Sequence, residues 1–116
     1  MERDKRDIGL TEAAHHDLSR LAAHGWFEDR SDIARFCLAY AIRSRVSEGS
    51  TSGVVTAWAA GNFDESGEIR AILSVMYPEC STPVRLMEHL IHEGLHLVLR
   101  RLDDDHTSIG PIDLLG

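Results

Sequence analysis

The sequence has few of the features that mark membrane, secreted or disulfide-bonded proteins. No apolar run approaches the roughly 18 residues of a membrane-spanning helix. The N-terminal segment MERDKRD has no apolar core of the kind found in signal peptides. The two cysteines, Cys37 and Cys80, follow no disulfide or metal-binding spacing, so both are expected to be free thiols. We therefore expect a cytoplasmic protein that makes no contact with membranes.

Phosphate-binding and cofactor motifs are also absent. Gly61, Gly67 and Gly94 do not form a Walker or dinucleotide-binding pattern. Aromatic residues make up only 6% of the chain, and Trp58 and Phe63 have few basic residues beside them. We expect these two side chains in the core and not in a nucleobase platform, because stacking sites combine aromatic and basic groups. No cofactor is expected.

Length and charge limit the remaining possibilities. The chain has 116 residues, 43% of them apolar, which predicts one folded domain that includes a C-terminal extension. Residues 1–48 carry eight Arg or Lys against nine Asp or Glu, a net charge of −1, whereas residues 49–116 carry four against ten, a net charge of −6. The second part is a poor phosphate-binding surface, since DNA affinity comes largely from neutralised phosphates. Its acidity favours a basic protein partner, or simply solubility.

The N-terminal part of the chain predicts a strand followed by a helix. Ile8 and Leu10 alternate with polar or small residues, which is the period of a half-buried strand. Thr11 is suited to cap a helix over residues 12–23, and Gly25 to end it.

A second, more apolar helix is predicted over residues 31–45, with Ser31 as its N-cap. Its apolar surface is wider than one short helix needs for an intramolecular core, which predicts burial in a homodimer or higher oligomer. The residues expected at the dimer interface are Ile8, Leu10, Ile33, Phe36, Cys37 and Tyr40.

The whole chain is thus predicted to be mainly α, with an N-terminal strand and two helices followed by two further helices. Residues 1–46 form the predicted dimerisation unit. Residues 47–61 are predicted to form a linker that includes a short β-prone run. Residues 62–116 form an acidic helical extension, with helices predicted over 66–77 and 82–102.

The last predicted helix contains His-Glu-Gly-Leu-His, which matches the H-E-x-x-H pattern of zinc peptidases. That spacing places His92 and His96 one turn apart, able to share Zn²⁺, with Glu93 as general base. A catalytic zinc site also needs a third protein ligand, and candidates after His96 such as His106 and Asp113 lack the usual spacing. A zinc hydrolase, a weaker zinc site and a solvated histidine-rich face all remain open, and the last is favoured.

Residues 6–46 resemble the ribbon-helix-helix (Arc/MetJ/CopG-like) family. The matching features are Ile8 and Leu10 in the strand, Leu18 and Leu21 in the first helix, the connection Gly25-Trp26-Phe27, and the second-helix opening Arg30-Ser31-Asp32-Ile33-Ala34-Arg35. In that family two protomers pair their strands into a ribbon that enters the major groove, and the second-helix N-terminus binds a phosphate. By this resemblance, the residues expected to lie near DNA are Arg3, Lys5, Arg6, Asp7, Gly9, Arg30, Ser31 and Asp32.

The same order of elements is also similar to the DndE family, which is accessory to DNA phosphorothioate modification. Together these resemblances imply a non-enzymatic, DNA-associated regulatory or accessory protein, such as a subunit of a DNA-modification or defence assembly. Two alternatives stay open. One is an antitoxin-like module whose acidic C-terminal part binds a basic partner, and the other is a small zinc hydrolase.

Overall fold

The computed structural model describes residues 3–53 and 55–104, and helices make up most of this part of the chain. The elements in chain order are β1 (Asp7–Leu10), α1 (Glu12–Ala22), α2 (Arg30–Arg43), β2 (Val55–Ala59), α3 (Ala60–Phe63), α4 (Glu68–Met76) and α5 (Pro83–Asp104). The predicted fold class, mainly α with a leading strand and two helices before further helices, is confirmed. The short helix α3 is an addition, and the β-prone run in the predicted linker forms β2. No helix in the described ranges has the length and apolarity that a membrane crossing requires.

The first two helices begin at side-chain caps. Thr11 Oγ1 accepts a hydrogen bond of 3.1 Å from the Ala14 N–H, so the predicted cap of α1 is confirmed. The predicted cap of α2 is wrong by two residues: the Asp29 carboxylate accepts from the Ser31 N–H, at 3.1 Å. Asp29 takes this role because its backbone is extended there, whereas Ser31 already lies within the helix.

Helix α5 forms the centre of the molecule. It runs for 22 residues, and its buried residues include Met87, Leu90, Ile91 and Leu95. It packs most extensively against α2 and also against α1 and β1. The predicted dimerisation unit, linker and extension all contribute to this one hydrophobic core. The wide apolar surface of α2 is therefore largely buried by α5 of the same chain.

Helices α2 and α5 cross with their backbones in contact. A Cβ atom at Gly94 would lie 1.9 Å from the carbonyl oxygen of Cys37, far inside any permitted contact. Only glycine allows this approach, which brings the apolar side chains on both helices close enough to interdigitate.

The two strands form an antiparallel pair in which Ile8 lies opposite Trp58 and Gly9 lies opposite Thr56. The shift in register leaves Ala57 as the extra residue of a β-bulge on β2. The segment before β2 crosses β1 closely, since a Cβ atom at Gly53 would lie 2.3 Å from the Gly9 carbonyl oxygen.

Replacement of Gly94 tests the helix crossing. We expect Gly94→Ala to lower the free energy of unfolding by about 3 kcal/mol, because the added methyl group forces two packed helices apart. The matched control is Gly61→Ala in α3, where an added Cβ meets no atom within 4 Å and where we expect a change within about 0.5 kcal/mol. Urea unfolding with comparison of midpoints and slopes measures both. Equal stability of the two variants would show that the helices do not cross at Gly94.

Candidate functional site

The helix that carries the H-E-x-x-H pattern accepts backbone hydrogen bonds from β1 and from Thr11, the residue that follows it. The Gly9 N–H donates to Glu88 Oε1 at 2.7 Å, and the Thr11 N–H donates to His92 Nε2 at 3.1 Å. N–H groups two residues apart in a strand point the same way, and residues four apart on a helix lie one turn apart. Two acceptors on α5 therefore follow one edge of β1, and β2 occupies the other edge.

Both ring nitrogens of His92 are used within the chain. Nδ1 lies 2.6 Å from the Glu88 carbonyl oxygen, which can only accept, so Nδ1 carries the proton. Nε2 accepts from the Thr11 N–H, so each ring nitrogen has a partner within the chain. A zinc ligand needs a free lone pair on one nitrogen, and His92 has none in this arrangement.

The other members of the pattern lie apart from these contacts. His96 is exposed, as expected for a solvated histidine face, whereas His92 and Glu93 are half-buried. Within residues 3–53 and 55–104, no group of three or more His, Cys, Asp or Glu side chains is placed to hold a metal ion. His106 and Asp113, two of the candidates weighed for a third ligand, lie outside the described residues.

Glu88 is a buried carboxylate that sequence reasoning missed. Its side chain is almost fully buried and forms an ion pair with the ammonium group of Lys5. A buried carboxylate is costly unless it is paired and hydrogen-bonded, and Lys5 and the Gly9 N–H provide both. The available signal was a charged residue inside the apolar stretch of α5, one helical turn before His92.

The N-terminal arm predicted to contact DNA, residues 3–9, forms hydrogen bonds and an ion pair with α5. The Asp4 carboxylate accepts from the N–H groups of Val84 and Arg85, at 3.0 and 3.1 Å, in the first turn of α5. The carbonyl oxygen of Arg3 accepts from Arg85 Nε at 2.9 Å. Since Lys5 pairs with buried Glu88 and Gly9 is itself buried, the groups of this arm that stay exposed are the side chains of Arg3, Arg6 and Asp7.

The predicted phosphate-binding end of α2 is occupied by the chain itself. The hydrogen bond from the Ser31 N–H lowers the pKa of Asp29, and the Ser31 side chain adds to this effect. Ser31 is buried, and its hydroxyl accepts from the Arg35 guanidinium, which also pairs with Asp32 at 2.8 Å. A phosphate at this end would have to displace a carboxylate. Arg30 remains exposed beside it.

The predicted dimer interface is mostly internal to one chain. The four residues already buried are Ile8, Leu10, Ile33 and Cys37. Cys37 is fully buried, and burial raises the pKa of its thiol to about 12, which disfavours the reactive thiolate. Phe36 and Tyr40 are half-buried and stack near Trp26 and Phe27, with the Phe36 and Phe27 rings 5.7 Å apart.

Within residues 3–53 and 55–104, the most exposed apolar surface lies on α4. The large apolar side chains that remain exposed in these ranges are Val55 at 53%, Ile72 at 49%, Val75 at 76% and Met76 at 52%. Three of these four belong to α4, and exposed Ala71 lies beside them. We call Ala71, Ile72, Val75 and Met76 the α4 stripe. Their spacing places them on one face of the helix.

No family model, no curated protein and no solved structure matches this chain.

Helix α4 is held at both ends, so its stripe is presented in a fixed orientation. The buried Asp64 carboxylate accepts from the N–H groups of Ile69 and Arg70, at 2.9 and 3.1 Å. After the helix, the Tyr77 hydroxyl donates to the Val46 carbonyl oxygen at 2.7 Å, and burial raises the pKa of Tyr77. A rigid helix with an exposed apolar face is suited to bind a partner with little loss of conformational entropy.

The role of the histidines is tested by two substitutions on one helix. We expect His92→Ala to lower the free energy of unfolding by about 1–3 kcal/mol, because the Thr11 N–H loses its acceptor. His96→Ala removes an exposed imidazole and should change stability by less than about 0.5 kcal/mol. Chemical unfolding and zinc analysis of the purified proteins measure both effects. One zinc per chain that is lost in either variant would instead support the zinc-hydrolase hypothesis.

Proposed function

We propose that this chain is a non-enzymatic accessory protein that binds a basic helical segment of a partner protein on the α4 stripe. The observation that carries the proposal is the exposure of Ile72, Val75 and Met76 on one face of a well-anchored helix. Exposed apolar patches rimmed by polar groups are typical of protein-binding surfaces.

The inner face of α4 strengthens this argument. Leu73 is buried and Ile69 is half-buried against the core, so the helix needs only that face to remain folded on the protein. A helix on the surface of a monomer is usually polar on its outer side, whereas Val75 on the outer side of α4 is 76% exposed. Apolar residues on both faces are typical of a helix that lies between two bodies.

The charges around the stripe favour a basic partner. Exposed Glu65 and Glu68 lie at the N-terminal end of α4, and exposed Glu79 follows its C-terminal end. Arg70 is the one basic residue between residues 61 and 82. An apolar stripe with an acidic rim is complementary to an amphipathic helix whose polar face carries Lys or Arg.

On this proposal the DNA-linked role predicted from the sequence belongs to the assembly and not to the surface of this chain. Support comes from the internal use of Lys5, Gly9 and Ser31, three of the eight residues predicted to lie near DNA. The acidic balance of residues 49–116, four basic against ten acidic side chains, adds repulsion from phosphate.

Binding of designed peptides tests the α4 stripe. A fluorescent amphipathic helix of Lys and Leu should bind the protein, and a helix of Glu and Leu should bind about tenfold more weakly or worse. We expect Val75→Asp to weaken binding of the basic peptide by about tenfold, because it places a carboxylate in the middle of the apolar contact. Fluorescence anisotropy measures each affinity.

The matched control adds the same charge elsewhere. Ala13→Asp lies on the exposed side of α1 and gives the same net charge as Val75→Asp. It should not weaken peptide binding, since it leaves the apolar contact intact and adds a negative charge that attracts the basic peptide. If both variants bind the basic peptide equally well, the peptide recognises net charge alone and the α4 stripe is not a docking surface.

The isolated chain should bind duplex DNA only weakly. We expect a dissociation constant of about 10⁻⁶ M or higher at physiological salt, because few arginines are exposed on the surface predicted to contact DNA. Fluorescence anisotropy with a labelled duplex over a salt series measures this. Tight, sequence-selective binding that is weakened by Arg6→Ala would contradict the proposal and support a DNA-reading role.

A further inference from the structure

The two-stranded sheet has one covered edge and one open edge. On the outer side of β1, Glu88 and His92 accept the strand N–H groups. Strand β2 pairs with β1 on one side and is followed directly by α3, and no other element of residues 3–53 and 55–104 packs extensively against it. Its second edge is therefore a row of backbone groups without a strand partner in the described part of the chain.

The register identifies which residue of β2 points outward. The Gly9 N–H is directed away from β2, towards Glu88. Gly9 and Thr56 are therefore a non-hydrogen-bonded pair, in which the N–H and C=O groups of both residues point away from each other. Thr56 consequently presents its N–H and C=O groups at the open edge, and its side chain is exposed.

The side chains of this edge carry no charge that would oppose strand pairing. Natural edge strands carry Lys, Pro or inward-pointing charges that prevent association. Strand β2 reads VTAWA, and the run from 49 to 63 contains no charged residue, the longest such run in the chain. Val55, the first residue of β2, is also 53% exposed. The bulge at Ala57 lies next to Thr56, and Thr56 keeps Gly9 as its partner on β1.

We propose that β2 pairs antiparallel with β2 of a second copy of this chain, across a two-fold axis at Thr56. The two β1–β2 pairs then form a four-stranded sheet in the order β1, β2, β2, β1. The Thr56 N–H of each copy donates to the Thr56 C=O of the other, which is the reciprocal exchange that a two-fold axis requires.

The lack of charge along this edge allows a second copy of the same chain to pair there. Each chain has a net charge of −7, so two copies repel each other on most of their surfaces. The run at 49–63 has no charged side chain, so two identical β2 strands meet without like charges directly opposite each other. This interface differs from the homodimer predicted on β1 and α2, and it does not use the α4 stripe.

A charge-swap experiment tests the pairing. Thr56→Lys places two ammonium groups directly opposite each other, and Thr56→Glu places two carboxylates there. We expect wild type to have twice the chain mass by light scattering, and each variant to dimerise about tenfold more weakly or worse. An equimolar mixture of the two variants should dimerise again, because Lys then lies opposite Glu. Recovery in the mixture requires both variants to be folded.

Two control variants locate the interface. Ala39→Lys adds the same charge on the exposed side of α2, and Val75→Asp alters the α4 stripe. Both should leave the dimer intact. A wild-type protein that stays monomeric at high concentration would overturn the proposal, as would a mixture that remains monomeric or a dimer lost in Val75→Asp. Failure of the peptide experiment with an intact dimer would overturn only the docking function of the α4 stripe.

Discussion

The position of α5 against the backbone of β1 is the constraint on which the rest of the fold depends. A strand N–H group that is removed from water needs an acceptor, and Glu88 and His92 provide acceptors one helical turn apart. These two hydrogen bonds fix the position of α5 along β1 and its rotation about its own axis. With α5 in place, Gly94 meets the backbone of α2 at Cys37, and the apolar surface of α2 is covered within the chain.

In this arrangement the H-E-x-x-H pattern has a structural role that the sequence pattern alone does not predict. An imidazole whose Nδ1 proton is held by a carbonyl oxygen is prepared either to ligate zinc or to accept an N–H at Nε2. In this chain the partner at Nε2 is the Thr11 N–H, more than eighty residues away in sequence. The choice between ligand and acceptor depends on that tertiary neighbour, so residue spacing alone does not decide it.

The same distinction explains how much of the structure could be predicted. Local signals such as the Thr11 cap and the apolar period of each helix place α1, α2, α4 and α5 within a few residues. Non-local contacts are different, because the Lys5–Glu88 pair joins residues 83 positions apart. The apolar width of α2 was therefore attributed to a second chain, since nothing local identifies α5 as its cover. The exposed face of α4 was missed because a stripe of apolar residues does not say which side meets the core.

Both surfaces proposed for association lie between residues 55 and 76, on elements whose inner residues, such as Phe63 and Leu73, pack in the core with β1, α1, α2 and α5. They differ in physical character, and this keeps them separable. Pairing at β2 depends on backbone hydrogen bonds in an uncharged run, so salt should affect it little or strengthen it by screening the repulsion between chains. Docking at α4 combines apolar contact with attraction to an acidic rim, so salt should weaken it. A dimer formed through β2 would carry two α4 stripes, and a partner with two basic segments would then bind with an avidity that exceeds the affinity of either stripe alone.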